Sequence, residues 1–232
     1  MTEPLEVNLT SEQTKLFQEQ GFLSIACITT DTELAWLRVV YDDIVRQTIG
    51  YTPAEMSRLI GRRLQEPLVR VMSPEGIVPE LKNTICYKNA RRIAARLLDN
   101  EEMNIASGWR IFFKPGHHSH ETPWHQDAAH RPGPHHSVNI WIPLDAATPE
   151  NGCMHFIAGS HHKGLRPHYL HEGHMKTDDV DPSQAVACPL PAGGATVHYC
   201  FTLHYAGPNQ TDQPRRAFVI VCQGTKPNER IA

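Results

Sequence analysis

The first hundred residues carry apolar positions at helical spacing. Leu34, Leu37, Val40, Ile44 and Ile49 recur at about the helical period, which predicts a helix over 31–49 with Asp31 at its start. Leu16 and Phe17 follow the cap signal Thr10-Ser11-Glu12-Gln13 and precede Gly21, which predicts a shorter helix before a strand over 21–28. Further helices are predicted over 53–64 and 90–98, the second with Ile93, Ala94, Leu97 and Leu98 on one face. From Trp109 onward the pattern shortens. Strands are predicted over 109–114, 137–144, 195–199 and 215–222, separated by turn signals such as Asn151-Gly152, Gly193-Gly194 and Gly207-Pro208-Asn209. The stretch 178–191 is the best candidate for a mobile loop.

Short strands after a helical stretch predict a mainly β fold with flanking helices, a double-stranded β-helix (jelly roll, cupin-like). One domain over 1–232 is expected, with 1–108 as mostly helical support plus a first strand and 109–225 as the jelly-roll core. Composition adds exclusions. The chain has 232 residues and a formal charge of −3 without a basic run, which disfavours nucleic acid as a partner. No apolar run approaches the ~18 residues that span a bilayer. The acidic opening carries no secretion signal, so a cytoplasmic chain is expected, its six cysteines reduced and buried.

Histidine changes the picture most. All fifteen lie at position 117 or later, seven of them between His117 and His136. Within that run stands Trp124-His125-Gln126-Asp127. On an extended segment residues two apart share a face, so His125 and Asp127 can bind one ion. With a second His they form the facial triad of non-haem Fe(II) oxygenases. A lone H-x-D is weak, since about one match is expected by chance in a chain with this much His and Asp. His204 is the preferred third ligand, following an apolar strand; His198 competes but lies mid-strand. Arg215 opens the next strand. An oxygenase using a keto acid must hold its distal carboxylate, which a guanidinium does in a bidentate fork. Arg215 and Arg216 are neighbours on a strand and must face opposite ways, with Arg216 expected on the solvated surface.

The set Trp124-His-Gln-Asp127, Asn139-Ile-Trp141-Ile-Pro-Leu-Asp145, Glu150-Asn-Gly-Cys-Met154, Gly159-Ser-His161 and His204-x-x-Gly-Pro-Asn209 followed by Arg215 resembles the phytanoyl-CoA dioxygenase family. The match runs from about Trp109 to Cys222, and Leu9-Thr-x-Glu-Gln13 with Gly21-Phe22 resembles the family's first helix and strand. The resemblance implies that His125, Asp127 and His204 hold Fe(II) and that Arg215 binds the C5 carboxylate of 2-oxoglutarate. It implies Trp141 beside the co-substrate and Gln126 near the keto acid. Ala206 stands where some members have a Ser that bonds the co-substrate, and Thr202 is the candidate replacement. Asp127, where a halogenase would have Ala or Gly, leaves no ligand position open for chloride. The implied reaction consumes O2 and 2-oxoglutarate and hydroxylates a small-molecule substrate, releasing succinate and CO2.

Basic residues crowd the same region. Lys114, Arg110, His130 and Arg131 are the candidate substrate contacts, favouring an anionic substrate; Trp109 and Phe112 are expected in the core. Both His ligands must be neutral, so metal affinity is expected to fall below about pH 6. Two other readings compete: a cupin-type metal enzyme that does not use 2-oxoglutarate, and a non-catalytic metabolite or oxygen sensor with an inherited site.

Overall fold

Alternation of side chains along the longer strands sets the architecture, because both faces of the main sheet are covered. A computed structural model describes residues 5–51, 69–116, 119–130 and 136–225. The strands are β1 (Phe22–Ile25), β2 (Val69–Met72), β3 (Ile105–Lys114), β4 (Thr122–His125), β5 (Ser137–Pro143), β6 (Met154–Ile157), β7 (Tyr169–His171), β8 (His174–Lys176), β9 (Ala185–Cys188), β10 (Ala195–Tyr199), β11 (His204–Ala206) and β12 (Arg215–Gly224). They form a six-stranded sheet β1-β10-β5-β12-β3-β2, a four-stranded sheet β4-β11-β6-β9 and a β7-β8 hairpin. All named pairings are antiparallel. This is the jelly roll with flanking helices.

Among the described residues the α-helices are α1 (Ser11–Gln20), α2 (Asp31–Ile49) and α3 (Ile85–Leu97). Thr10 and Gln13 close a capping box on α1. Gly21 ends α1 at φ 83°, and a side chain there would run into His161 and Thr202, so glycine is required twice over. Thr30, rather than Asp31, caps α2 by accepting from the Glu33 N–H. Glu33 in turn accepts from the Ile85 and Cys86 amides at 2.5 and 2.9 Å, so α2 satisfies the exposed first turn of α3.

Val138, Ile140 and Ile142 of β5 and Phe218, Ile220 and Cys222 of β12 form one core with Leu37, Tyr41 and Ile44 of α2 and Ile93 of α3. Each such side chain contributes roughly 1.5–3 kcal/mol by leaving water. The alternate residues Trp141, Ala217 and Val219 turn inward and pack with Phe22, Met154, Phe156 and Ala206 between the sheets. Arg216 lies on the helix side, and it is not a solvated surface charge. It is half-buried against Asp145 at 2.7 Å and Asp42 of α2 at 3.0 Å, which tethers α2 to the sheet.

Several elements differ from the sequence expectation. The third helix starts at Ile85, five residues before the predicted 90, because Thr84 caps it. The expected loop 178–191 contains β9, paired with β6. Residues before 109 supply β1, β2 and the start of β3 to the main sheet. The predicted helix over 53–64 lies outside the described residues. Five of the six cysteines are buried and Cys27 is exposed, all without disulfides. No helix among the described residues is long and apolar enough to cross a membrane.

Candidate metal centre

Sheet register builds the centre. His204 on β11 lies directly opposite His125 on β4, and their rings are 4.1 Å apart. Pro123 fits in β4 because this strand is at the sheet edge. The extended segment ends at His125. Asp127 opens a one-turn 3-10 helix, Asp127–His130, so the turn rather than strand alternation brings its carboxylate back to the ring. His125 Nε2 is 3.8 Å from Asp127 Oδ1, and His204 Nε2 is 3.6 Å from Oδ2. Ligands bound at 2.0–2.2 Å and at right angles sit about 3 Å apart, so each histidine stands somewhat beyond ligand spacing from Asp127, toward a different carboxylate oxygen.

The tautomers favour a metal. His125 Nδ1 donates to the Pro123 carbonyl at 2.8 Å, and His204 Nδ1 donates to the Thr202 carbonyl at 2.9 Å. A carbonyl can only accept, so each Nδ1 carries the proton and each Nε2 presents a lone pair. Burial, offset in part by Asp127, draws the His125 pKa down to about 4; burial with His125 beside it draws His204 well below its ordinary value. Both rings are therefore neutral at pH 7, and proton competition for His125 moves from the expected pH 6 toward pH 4. Burial pushes the Asp127 carboxyl up, but His204, His198 and His125 outweigh it and hold the group well below the usual carboxylate range.

Two further rings approach Asp127. Donor atoms of Asp127, His198 and His204 lie within 4.8 Å of one another, as do those of His125, Asp127 and His130. His198 differs in chemistry from the two rings tied by Nδ1. Its Nε2 lies 3.0 Å from Asp127 Oδ2, while its buried Nδ1 has no partner among the described residues. Asn139 Nδ2 donates to the same Oδ2.

A cavity of about 240 Å³ opens from the centre, and His125, Asp127, His204, Trp141, Arg215, Arg110 and His130 are among its lining residues. Arg215 is 2% exposed, and its Nε and Nη1 have no hydrogen-bond partner among the described residues. Burial lowers its pKa to about 10. A buried guanidinium left unsatisfied is costly, and the deficit fits an anionic ligand. Its Cζ lies 5.1 Å from the Trp141 ring.

Other candidates sit elsewhere. Gln126 is fully buried, and its side chain is engaged with the Gly164 and Phe201 carbonyls and the Arg166 amide. It holds the 164–166 loop and does not line the cavity. The Thr202 hydroxyl donates to the Gly21 carbonyl at 2.8 Å, also away from the cavity. Lys114 is completely buried, its ammonium donating to the His120, Ala206 and Gly207 carbonyls at 2.9, 3.0 and 2.6 Å. It ties the chain just after His204 to β3 and is not a cavity-facing substrate contact. Phe112 belongs to the cavity wall with Arg110, two residues away on the same strand. Arg131 lies outside the described residues. Asn139 stood in the quoted motifs without an assigned role; its inward position in the β5 alternation was the available signal.

A family model described as "Phytanoyl-CoA dioxygenase (PhyH)" matches residues 17–217. The crystal structure of EvdO2 from Micromonospora carbonacea var. aurantiaca complexed with 2-oxoglutarate is 33% identical, with a TM-score of 0.82 over 98% of each chain. The methylphosphonate hydroxylase of Gimesia maris is 33% identical over 96 residues, 41% of this chain and 36% of that protein. The mouse peroxisomal phytanoyl-CoA dioxygenase is 23% identical over 90% of this chain and 67% of its own length. The matches to the first curated relatives thus cover less than half of those proteins. With the family model matching most of its length, the chain belongs to the phytanoyl-CoA dioxygenase family.

Proposed function

We propose that the protein hydroxylates a C–H bond of a small molecule carrying an anionic group, with His125, Asp127 and His204 as the iron ligands. The observation that carries this reading is the pairing of two Nδ1-tied imidazoles on one carboxylate with a buried, unsatisfied guanidinium in the same cavity. Iron bound there with the keto acid supplies the oxidising power, and the balanced reaction is R–H + 2-oxoglutarate + O2 giving R–OH + succinate + CO2.

The chain's own residues orient and select. Arg215 would hold the C5 carboxylate, since a guanidinium can bind a carboxylate with two N–H groups, and the Trp141 ring, 5.1 Å from its Cζ, packs beside it. Phe112, Met154 and Val219 give the cavity an apolar wall that limits water beside the reacting bond. The cavity lies just below the ~300–1,000 Å³ of typical small-molecule sites. Once the co-substrate is seated, only a small part of the substrate fits inside. Its remainder would lie toward half-exposed Arg110, exposed Met72 and exposed His130, and the guanidinium of Arg110 favours a carboxylate or phosphonate there.

The test is a screen of small carboxylates and phosphonates with ¹⁸O2, following succinate and product together. Label in a product alcohol, formed one-for-one with succinate, is the expected result. Substrate-dependent succinate with a desaturated, cyclised or epimerised product would overturn the hydroxylation reading.

A further inference from the structure

We infer that His198 and Asn139 act as a two-donor clamp on Asp127 that keeps this carboxylate a one-oxygen ligand. The inference rests on the iron reading above and assigns a positioning role to two residues outside the ligand set. His198 on β10 and Asn139 on β5 are directly paired across the main sheet, and both line the cavity. Their N–H groups converge on one atom, Asp127 Oδ2: His198 Nε2 at 3.0 Å and the Asn139 amide beside it. A carboxylate oxygen has two lone pairs in its plane, and two donors occupy both. Oδ1, on the His125 side, keeps its lone pairs for the ion.

The ring of His198 is well fixed for this task. It is 3% exposed and lies between Phe156 and His204, with centroids 5.2 and 4.3 Å away. Since the carboxylate can only accept, Nε2 carries the proton, and this tautomer cannot ligate through Nε2. His125 and His204 have the opposite tautomer, enforced by their own backbone carbonyls. The clamp also explains how a carboxylate on a short turn is held in position: the turn borrows its rigidity from the main sheet. A second oxygen on the ion would occupy one of the three positions that co-substrate and O2 require.

The test uses Co(II) added anaerobically to the full-length chain, read by its ligand-field absorption and by equilibrium dialysis. Wild type, His198→Gln, His198→Leu and His204→Ala are compared. The expected result is that His198→Leu still binds Co(II), about ten- to a hundredfold more weakly and with an altered spectrum. His198→Gln, which restores an N–H donor, should return both toward wild type. Wild-type affinity and spectrum in His198→Leu would overturn the clamp while leaving the iron reading intact. Loss of Co(II) from both His198 variants, to the level of His204→Ala, would overturn it by making His198 a ligand. If His198→Leu fails to fold, Asn139→Leu takes its place: it removes the other donor on Asp127 Oδ2, so Co(II) binding weakened about tenfold or more supports the clamp, and wild-type affinity and spectrum overturn it. A wild-type chain that binds no Co(II) would overturn the iron reading itself, and the clamp with it.

Discussion

Replacing Arg215 by Met should weaken co-substrate binding and strengthen the metal-free fold at the same time. The guanidinium is buried with two nitrogens unsatisfied, and burial draws its pKa from the ordinary value to about 10. At about 1.4 kcal/mol per pKa unit, that is an electrostatic cost of about 3 kcal/mol in the empty protein. Methionine removes the charge and keeps much of the volume. The loss of the contact with Trp141, 5.1 Å away, returns about 1 kcal/mol. The net gain of about 2 kcal/mol corresponds to a melting temperature higher by roughly 4–8 °C in a chain of this size. Against this, a carboxylate loses two charge-assisted hydrogen bonds at about 1.5–3 kcal/mol each, so 2-oxoglutarate should bind on the order of a hundred- to ten-thousandfold more weakly. Differential scanning calorimetry of the metal-free protein and calorimetric titration of 2-oxoglutarate into the Mn(II)-loaded protein measure the two effects. Unchanged 2-oxoglutarate affinity would refute the anchor. A large drop in melting temperature would refute the claim that this charge is uncompensated in the empty cavity.

Three further outcomes follow from the same geometry. His125 titrates near 6.5 when unfolded and near 4 in the folded chain, so folding is supported in full above pH 6.5. That support, about 3 kcal/mol, is lost as pH falls toward 4; urea midpoints of the metal-free protein should drop across this window, and a flat profile would contradict the burial argument. Lys114→Ala leaves three carbonyls without their donor and should cost about 2–4 kcal/mol of stability in chemical denaturation, with weaker metal binding because the chain after His204 loosens. A variant as stable as wild type but with a raised substrate KM would return Lys114 to the substrate side. Arg110→Met should raise the KM for an anionic substrate at least tenfold with little change in the KM for 2-oxoglutarate; equal effects on both would place Arg110 at the co-substrate instead.

Much of the fold was legible because periodicity is strong where elements are long. The helix over 31–49 appears with the bounds read from its apolar spacing, and β1, β3, β5, β10 and β12 begin within about four residues of their expected starts, whereas β2 was not expected. The four-stranded sheet that carries His125 and His204 was largely not legible. β4, β6, β9 and β11 are three or four residues long, too short for alternation to show. The side chains of the site were partly legible. His125, Asp127 and His204 are brought together, and Arg215 and Arg216 face opposite ways. Gln126, Thr202 and Lys114 have the polarity of site residues, yet their polar atoms are used by nearby backbone. Sequence shows that a donor exists and not which carbonyl reaches it first. The same limit hid Asn139 and His198, whose convergence on Asp127 depends on strand pairing 59 residues apart in sequence.

The most direct measurement is the visible spectrum of the anaerobic protein mixed with Fe(II) and 2-oxoglutarate. A keto acid chelated to ferrous ion in this cavity gives a weak metal-to-ligand charge-transfer band. The band should grow to one equivalent in wild type and be absent in His204→Ala and Asp127→Ala. A folded wild type without the band, or a band that persists undiminished in both variants, would contradict the assignment of iron to these side chains.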